Sequence, residues 1–242
     1  MIKLDKYKGK KIIVAYSGGL DSLVLAILLN KVADILCVFI KTPYISNYSL
    51  NNAIYYAEKF NLKLNIIYVD KIIKNDENRC YYCKKMFFEI LNNEKEKLGY
   101  DMVADGTNYD DIFEDRKGLK AKEELNIISP FVEAKVRKKD IIEYAKKLNI
   151  DIPKDSCLLM RFPINRDIKK EDLKRIEELE EFLRKFLFGV IRVRDFKDFA
   201  VIEVDDLNSI IKNREKIINK FKKYYKKVYL DLEGYSHKAP SK

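Results

Sequence analysis

Two kinds of hydrophobic pattern alternate along the first two thirds of the chain. Apolar runs that are typical of strands buried on both faces of a parallel sheet lie at residues 11–16, 35–40, 64–69 and 102–104. Amphipathic patterns with helical spacing lie between and after them, at residues 21–32, 50–60, 84–98 and 138–148. This alternation predicts an α/β fold with a doubly wound parallel sheet, whose ligands bind at the carboxyl ends of the strands.

The pattern changes near residues 163–168, where a proline and a loss of helical period indicate a boundary. Beyond it, the expected elements are a helix over 169–188, a hairpin of strands over 189–194 and 199–204, a helix over 206–224 and a strand over 228–232. These elements predict a smaller C-terminal α+β domain. We therefore expect two domains, residues 1–165 and residues 166–242.

Composition limits the class of protein. Hydrophobic residues make up 47% and charged residues 36% of the 242 residues, which is typical of an ordered globular protein. No apolar stretch approaches the ~20 residues that span a bilayer, and the N-terminus lacks a signal-peptide core, so we expect a cytoplasmic protein without membrane association. The net charge of +10 comes from 48 basic residues interleaved with 38 acidic ones, so a nucleic-acid partner is not expected.

Candidate nucleophiles are few. The chain has one histidine, His237, which argues against His-rich zinc sites and against Ser/His/Asp or Cys/His catalytic units. The nucleophile of any covalent chemistry must therefore be a thiolate, a sulfide or the substrate itself.

A glycine-rich loop, SGGLDS, occupies residues 17–22 between the first predicted strand and the first predicted helix. Backbone N–H groups and the helix dipole at such a position can receive phosphate oxygens, and Gly18 and Gly19 let the backbone come close. Ser17 and Ser22 can donate hydroxyl hydrogen bonds, and Asp21 can orient Mg²⁺ or its waters. For an isolated glycine pair, an ordinary turn with a helix cap is the alternative.

The complete hexapeptide resembles the PP-loop of the ATP pyrophosphatases, which cut ATP between its α- and β-phosphates and pass AMP to an acceptor oxygen. It is not a Walker loop, because the terminal Gly-Lys-Ser/Thr is missing. The resemblance implies an ATP site whose adenine lies beyond the second strand, near Ile40 and Lys41.

A second loop, DGTNYDD at residues 105–111, follows a later strand and is expected to reach the same crevice. Its candidate ATP-binding residues are Gly106, Thr107 and Asn108. A turn rich in Gly, Asn and Asp is common, so an ordinary turn is the alternative.

Three of the four cysteines have a spacing that suits a metal site. Cys80 and Cys83 form a CxxC at the start of a helix, where the dipole and basic neighbours favour thiolates. Cys157 lies in a later loop, whereas Cys37 is expected in a core strand as a small buried hydrophobe. A CxxC alone is also compatible with a redox pair or half a zinc site, but no well-placed fourth zinc ligand remains. Three thiolates suit a 4Fe-4S cluster with one open iron.

Seven short motifs together resemble the LarE family over nearly the whole chain. They are SGGLDS, RCYYCK, DGTNYDD, ISPFVEA, CLLMR, RVR and LDLEGY. The family consists of ATP-dependent sulfur transferases that make pyridinium-3,5-bisthiocarboxylic acid mononucleotide, a precursor of the nickel-pincer cofactor. The resemblance implies a PP-loop/HUP-like fold for the larger domain.

One type of the family sacrifices the sulfur of a single cysteine, and the other carries three cysteines and a 4Fe-4S cluster that relays sulfide. The resemblance implies the cluster type, with Cys80, Cys83 and Cys157 as ligands and with ATP and Mg²⁺ as further cofactors. A sacrificial role stays open for Cys157. The implied partners are a small anionic mononucleotide substrate and sulfide or a sulfur donor. Family members assemble as oligomers, so we expect a homo-oligomer with contacts in the C-terminal domain.

Arg192 and Arg194 are two positions apart on a predicted strand, so both side chains lie on one face and can grip a phosphate. A solvent-facing charged strand is the alternative. The resemblance favours phosphate binding, with Arg161 and Glu180 as further candidates. Asp21 and Cys157 are the expected catalytic residues.

The expected chemistry begins with AMP transfer, which turns a carboxylate oxygen into a leaving group and opens the carbon to sulfide attack. A tRNA thiolase is one rival, although the sequence has neither zinc-knuckle cysteine pairs nor an appended RNA-binding domain. An amide-forming PP-loop synthetase would not need three cysteines. A nucleotide-binding module without chemistry would leave the cysteines and the arginine pair unexplained.

Overall fold

A computed structural model describes residues 2–113 and 118–235, with only the backbone of Leu119; His237 lies outside this range. The chain forms two compact units. Unit 1 contains residues 2–42, 49–73 and 78–152, and unit 2 contains residues 43–48, 74–77 and 153–235. The sequence pattern instead groups residues 153–165 with the first predicted domain. The domain boundaries and the role of each domain stay a prediction.

The sheet of unit 1 has four parallel strands in the order β3-β2-β1-β4. The strands are β1 (Lys11–Ala15), β2 (Asp34–Lys41), β3 (Leu64–Tyr68) and β4 (Met102–Ala104). The helices of this unit are α1 (Leu20–Leu29), all but the first two residues of α2 (Asn47–Lys59), α3 (Arg79–Leu98), α4 (Gly118–Glu124), α5 (Pro130–Glu133) and α6 (Lys138–Lys147). The predicted α/β fold with a parallel sheet is therefore confirmed.

Both faces of the central strand are covered, which explains its continuous apolar sequence. Ile13 packs in a cluster with Phe88 of α3 and Val103 of β4. Ile12 and Val14, which point to the opposite face, are also fully buried. The sheet is thus sandwiched by helices, as a doubly wound fold requires.

The strand order places a topological switch point between β1 and β4. From β1 the chain adds strands outward through β2 to β3, and it then crosses to the other side of β1 to form β4. In open parallel sheets, ligands bind in the crevice where the order reverses, outside the carboxyl ends of the strands. The loops at residues 17–22 and 105–111 leave these two strand ends.

Unit 2 has a three-stranded sheet in the order β5-β6-β7, with β5 and β6 antiparallel and β7 parallel to β6. The strands are β5 (Ile191–Asp195), β6 (Phe199–Val204) and β7 (Lys227–Leu230), and the helices are α7 (Lys170–Leu183), α8 (Leu207–Lys212) and α9 (Arg214–Phe221). The hairpin predicted around residues 196–198 is present, and apolar residues of α7 such as Leu173, Ile176 and Leu179 are buried.

Several predicted helix bounds differ from the structure; the helix predicted over 169–188, for example, ends at Leu183. The helix predicted over 206–224 is two helices, α8 and α9, which meet at Asn213, whose backbone leaves the helical conformation (φ −103°, ψ 15°). Helix α3 begins at Arg79 rather than at residue 84, so both cysteines of the CxxC are helical. In the part of the chain that the structure describes, no helix is long and apolar enough to cross a membrane.

Candidate functional site

The loop at residues 17–22 is closed from inside by a serine hydroxyl. Oγ of Ser22 donates to the carbonyl of Gly19 (3.1 Å) and accepts from the backbone N–H of Ser17 (3.1 Å), and the two serine hydroxyls lie 3.0 Å apart. Ser22 is buried, whereas Ser17 is exposed. Ser22 therefore shapes the loop, and Ser17 is the hydroxyl that faces solvent.

Gly18 is required by both conformation and space. Its φ is +72°, a left-handed value that favours glycine, and a β-carbon there would lie 2.3 Å from the carbonyl oxygen of Ser49. Gly19 has an extended conformation and is the N-cap of α1. The backbone N–H groups at the start of α1 thus follow a loop that only glycine can form at residue 18.

The loop at residues 105–111 packs directly on the first turn of α1. A β-carbon at Gly106 would lie 2.9 Å from the backbone nitrogen of Ser22, closer than real side chains come. Glycine at this position therefore lets the ends of β1 and β4 share one crevice. The predicted meeting of the two loops is borne out by this contact between backbones.

Asp21 is the acidic group at the mouth of the crevice, and two side chains bind its carboxylate. Nζ of Lys138, at the first residue of α6, forms an ion pair with Oδ1. Nδ2 of Asn108 lies 3.4 Å from Oδ2 and also donates to Asp111 (2.9 Å). The backbone N–H of Lys138 donates to Asp110 (2.8 Å), so the second loop joins Asp21 to the start of α6.

A buried acid, Asp105, holds the loop at residues 105–111 in place through hydrogen bonds. Asp105 accepts from the hydroxyl of Thr107 (2.5 Å) and from the hydroxyl of Ser129 (2.5 Å). Nζ of Lys122 lies 3.0 Å from the Ser129 hydroxyl. The hydroxyl of Thr107 is therefore hydrogen-bonded to Asp105. The expected role of Thr107 in ATP binding stays a prediction.

Lys41, the expected neighbour of adenine, is the last residue of β2, and its Nζ lies 3.4 Å from the carbonyl of Thr42. The hydroxyl of Thr42 is buried and has no hydrogen-bond partner among the described residues. The end of β2 thus offers one polar group that a ligand can use.

The CxxC lies in the first turns of α3, with Cys80 exposed and Cys83 half-buried. Residues three apart on a helix project from the same side, so both thiols can reach one metal. Cys157, in unit 2, is half-buried, and Cys37 is buried in β2. Burial raises the pKa of Cys37 to about 12, which keeps this thiol protonated. Among the described residues, no group of three or more His, Cys, Asp or Glu is placed to hold a metal ion.

Arg161 organises the loop that carries Cys157. The guanidinium is fully buried and makes a bidentate pair with Glu180 (2.7 and 3.0 Å). It also donates to the Ser156 hydroxyl (2.7 Å), to Asp155 (3.1 Å) and to the carbonyl of Cys157 (3.3 Å). Burial alone would lower the pKa of Arg161, but the charges of Glu180 and Asp155 raise it, so the cation is permanent.

Arg192 and Arg194 are buried on β5 rather than facing solvent. Arg194 makes a bidentate pair with Glu203 (2.7 Å for both contacts). Arg192 lies 3.3 Å from Asp155, and its Nε has no hydrogen-bond partner in the described part of the chain. Of the two arginines, Arg192 is the one with donor capacity left.

Asp155 lies between two buried cations. Burial alone would raise the pKa of this carboxyl, but the charges of Arg161 and Arg192 and the hydrogen bond from Ser46 outweigh it and lower the pKa to about 2. The same environment lowers the pKa of Arg192, because burial and the charge of Arg161 disfavour a second cation. Asp155 is thus the carboxylate that holds Arg161 and Arg192 side by side.

Three known proteins are similar to most of this chain. An uncharacterized protein of Methanocaldococcus jannaschii is 64% identical, over 96% of this chain and 93% of its own length. The pyridinium-3,5-bisthiocarboxylic acid mononucleotide synthase of Lactiplantibacillus plantarum is 29% identical, over 81% of this chain and 75% of its own length. A glutamine-hydrolyzing GMP synthase of Borreliella burgdorferi is 28% identical, over 77% of this chain and 42% of its own length. No protein-family model matches.

The chain belongs to the family of the archaeal protein, within the PP-loop ATP pyrophosphatase superfamily. As a member of this superfamily it is an ATP-using enzyme.

Sequence reasoning missed one residue in each unit. Lys138 contacts Asp21 of the 17–22 loop although 117 positions separate them, and its sequence neighbourhood, rich in lysine, gives no signal. Asp155 stands two positions before Cys157, and an acid so close to a candidate sulfur ligand is the signal that could have marked it.

Proposed function

We propose that this PP-loop enzyme is an ATP-dependent sulfur transferase. It adenylates a carboxylate of pyridinium-3,5-biscarboxylic acid mononucleotide and converts it to a thiocarboxylate, in the biosynthesis of the nickel-pincer nucleotide. The observation that carries the proposal is the PP-loop at the switch point of the sheet, in a chain that also has a CxxC and Cys157 and is similar to a named synthase of this product.

The PP-loop residues activate the substrate. Backbone N–H groups at Gly19 and the start of α1 would receive phosphate oxygens of ATP, and Asp21 would hold Mg²⁺. The carboxylate of the substrate attacks the α-phosphorus, pyrophosphate leaves, and the acyl adenylate carries AMP as its leaving group. Lys138 is placed to balance negative charge at this point, because its Nζ already contacts Asp21.

The thiols supply the sulfur chemistry. Cys80, Cys83 and Cys157 would be the ligands of a 4Fe-4S cluster, which fits three thiolates and leaves one iron open. When bound, such a cluster would supply a sulfide that replaces the carboxylate oxygen. The helical CxxC supports two of these ligands, and the assignment of Cys157 rests on residue type and on the resemblance.

The substrate phosphate is assigned to Arg192. Arg161 and Arg194 each have a bidentate carboxylate partner, whereas Nε of Arg192 is buried without a hydrogen bond in the described part of the chain. A buried donor without an acceptor costs free energy of about 1–3 kcal/mol, and a phosphate oxygen would relieve this cost. Arg161 and Glu180 then position the loop of Cys157.

The proposal is tested by anoxic turnover of the purified protein with ATP, Mg²⁺, the biscarboxylic mononucleotide and sulfide. The expected products are AMP, pyrophosphate and a mononucleotide whose mass reflects replacement of oxygen by sulfur. Ammonia or glutamine accepted in place of sulfide would identify an amide-forming synthetase instead. Loss of hydrogen sulfide from Cys157, seen in the mass of the protein, would replace the cluster by a sacrificial cysteine.

A further inference from the structure

The positive charge of unit 2 is concentrated in one stretch, residues 212–227, which we call the basic segment. It contains eight basic residues and a single acidic one, Glu215. The basic residues are Lys212, Arg214, Lys216, Lys220, Lys222, Lys223, Lys226 and Lys227. The even mixing of acids and bases in the chain as a whole does not hold here.

Buried apolar residues fix the basic segment to unit 2 and turn its cations outward. Ile217, Phe221 and Tyr225 are almost completely buried. All of the basic side chains except Lys220 are exposed. The cations therefore form the outer surface of a folded element.

Few of these charges are neutralised. Lys220 forms an ion pair with Glu178, and Lys226 lies 3.0 Å from Asp198, a pair that is largely exposed to solvent. For the other six cations, the described residues provide no ion pair. Such a concentration of like charge repels itself and is stabilised by a polyanionic partner.

Aromatic rings lie among the cations. Tyr224 is 41% exposed next to Lys222, Lys223 and Lys226, and Tyr229 is 46% exposed two positions after Lys227. A surface on which cations alternate with exposed rings suits single-stranded nucleic acid, because phosphates pair with the cations and bases stack on the rings. A membrane surface fits less well, because α8 has six residues and α9 has eight, too few for a long amphipathic face.

We propose that the basic segment is a binding surface for single-stranded nucleic acid. The surface requires neither ATP nor the three cysteines of the PP-loop enzyme. Its binding can therefore be tested independently of the proposed sulfur transfer. It gives unit 2 a partner of a kind that the sequence-wide charge balance does not predict.

The test is fluorescence anisotropy of a labelled oligouridylate of about 20 nucleotides, with the full chain, at several KCl concentrations. The double substitution Lys222→Glu with Lys223→Glu is compared with Lys8→Glu with Lys10→Glu, which makes the same change of charge at exposed positions of unit 1. Circular dichroism of each variant checks that it folds. Tyr229→Leu and Tyr55→Leu form a second pair, in which an exposed ring is removed either from β7, two positions after the basic segment, or from α2.

We expect the wild type to bind with an affinity that falls steeply with salt. The change at Lys222 and Lys223 should weaken binding roughly tenfold or more and flatten the salt dependence. The control pair should change the affinity less than about threefold. Tyr229→Leu should weaken binding without changing the slope of the salt dependence. Tyr55→Leu should leave the affinity unchanged. Three outcomes would overturn the proposal. They are equal losses of affinity in both charge variants, no binding by the wild type at about 50 mM KCl, and binding to anionic vesicles but not to oligouridylate.

Discussion

Lys138 forms an ion pair with Asp21 across the mouth of the PP-loop. The two side chains come from the first turns of α6 and α1, and both are partly exposed, so they can exchange partners when ligands arrive. The lysine neutralises the carboxylate that we assign to Mg²⁺. With Asp21 as a ligand of Mg²⁺, the ammonium group of Lys138 would be placed to contact a phosphate oxygen of ATP.

Replacement of Lys138 by Met should therefore separate metal binding from catalysis. We expect kcat/KM for pyrophosphate release to fall roughly tenfold to hundredfold, because a charged contact to the transferring phosphates is lost. The apparent affinity for Mg²⁺ should rise, because Asp21 loses a competing cation. Lys138→Arg should recover part of the rate. Lys139→Met, at the next exposed position of α6, should have little effect. Loss of rate in Lys138→Met without a shift in the Mg²⁺ titration would count against this role.

Gly18→Ala should abolish ATP binding, and Gly9→Ala provides a matched control. Both glycines have a φ near +73°, but a β-carbon at Gly9 meets nothing within 4 Å, whereas one at Gly18 lies 2.3 Å from the Ser49 carbonyl oxygen. The backbone cost of about 1–2 kcal/mol is common to both variants. Calorimetric titration with ATP should then show normal binding for Gly9→Ala only; similar binding in the two variants would mean that the loop tolerates a side chain.

Iron content tests the three-thiolate assignment. The anoxically purified protein should contain about four irons per chain, and Cys83→Ser and Cys157→Ser should each lose most of them. Cys37→Ala should keep the iron, because Cys37 is buried in β2 and its thiol stays protonated. Iron-free wild-type protein, even after reconstitution, would leave only the sacrificial role for Cys157.

Asp155→Asn should lower stability in a pH-dependent way. Because the pKa of Asp155 falls from 3.8 to about 2 on folding, the ionised carboxylate contributes stability that is fully present above about pH 4 and is lost as pH falls through 2. We expect the free energy of unfolding to drop by about 2 kcal/mol at pH 7. Urea denaturation should show this difference shrinking below pH 4, with the exposed Asp151→Asn close to wild type; a constant difference down to pH 2 would contradict the assignment.

Local patterns made much of this structure predictable. The four parallel strands follow from apolar runs, and the 17–22 loop from two glycines between a strand and a helix. Gly106 was predicted at the same crevice because strand ends of a parallel sheet share one edge, and its contact with Ser22 bears this out.

Long-range pairings were not predictable in this way. The period of β5 placed Arg192 and Arg194 on one face, but their burial and the pairing of Arg194 with Glu203 depend on how the hairpin packs. The contact of Lys138 with Asp21 depends on the route of the chain across the sheet. The break between α8 and α9 at Asn213 is equally invisible to hydrophobic periodicity.

The most direct test of sulfur transfer is mass spectrometry of the mononucleotide after anoxic turnover with ATP, Mg²⁺ and sulfide. The account predicts a product in which sulfur replaces a carboxylate oxygen, formed together with AMP and pyrophosphate and lost in Cys157→Ser. Pyrophosphate release without sulfur in the product would keep the PP-loop chemistry and contradict the sulfur transfer. An unchanged mononucleotide with no AMP would contradict the adenylation itself.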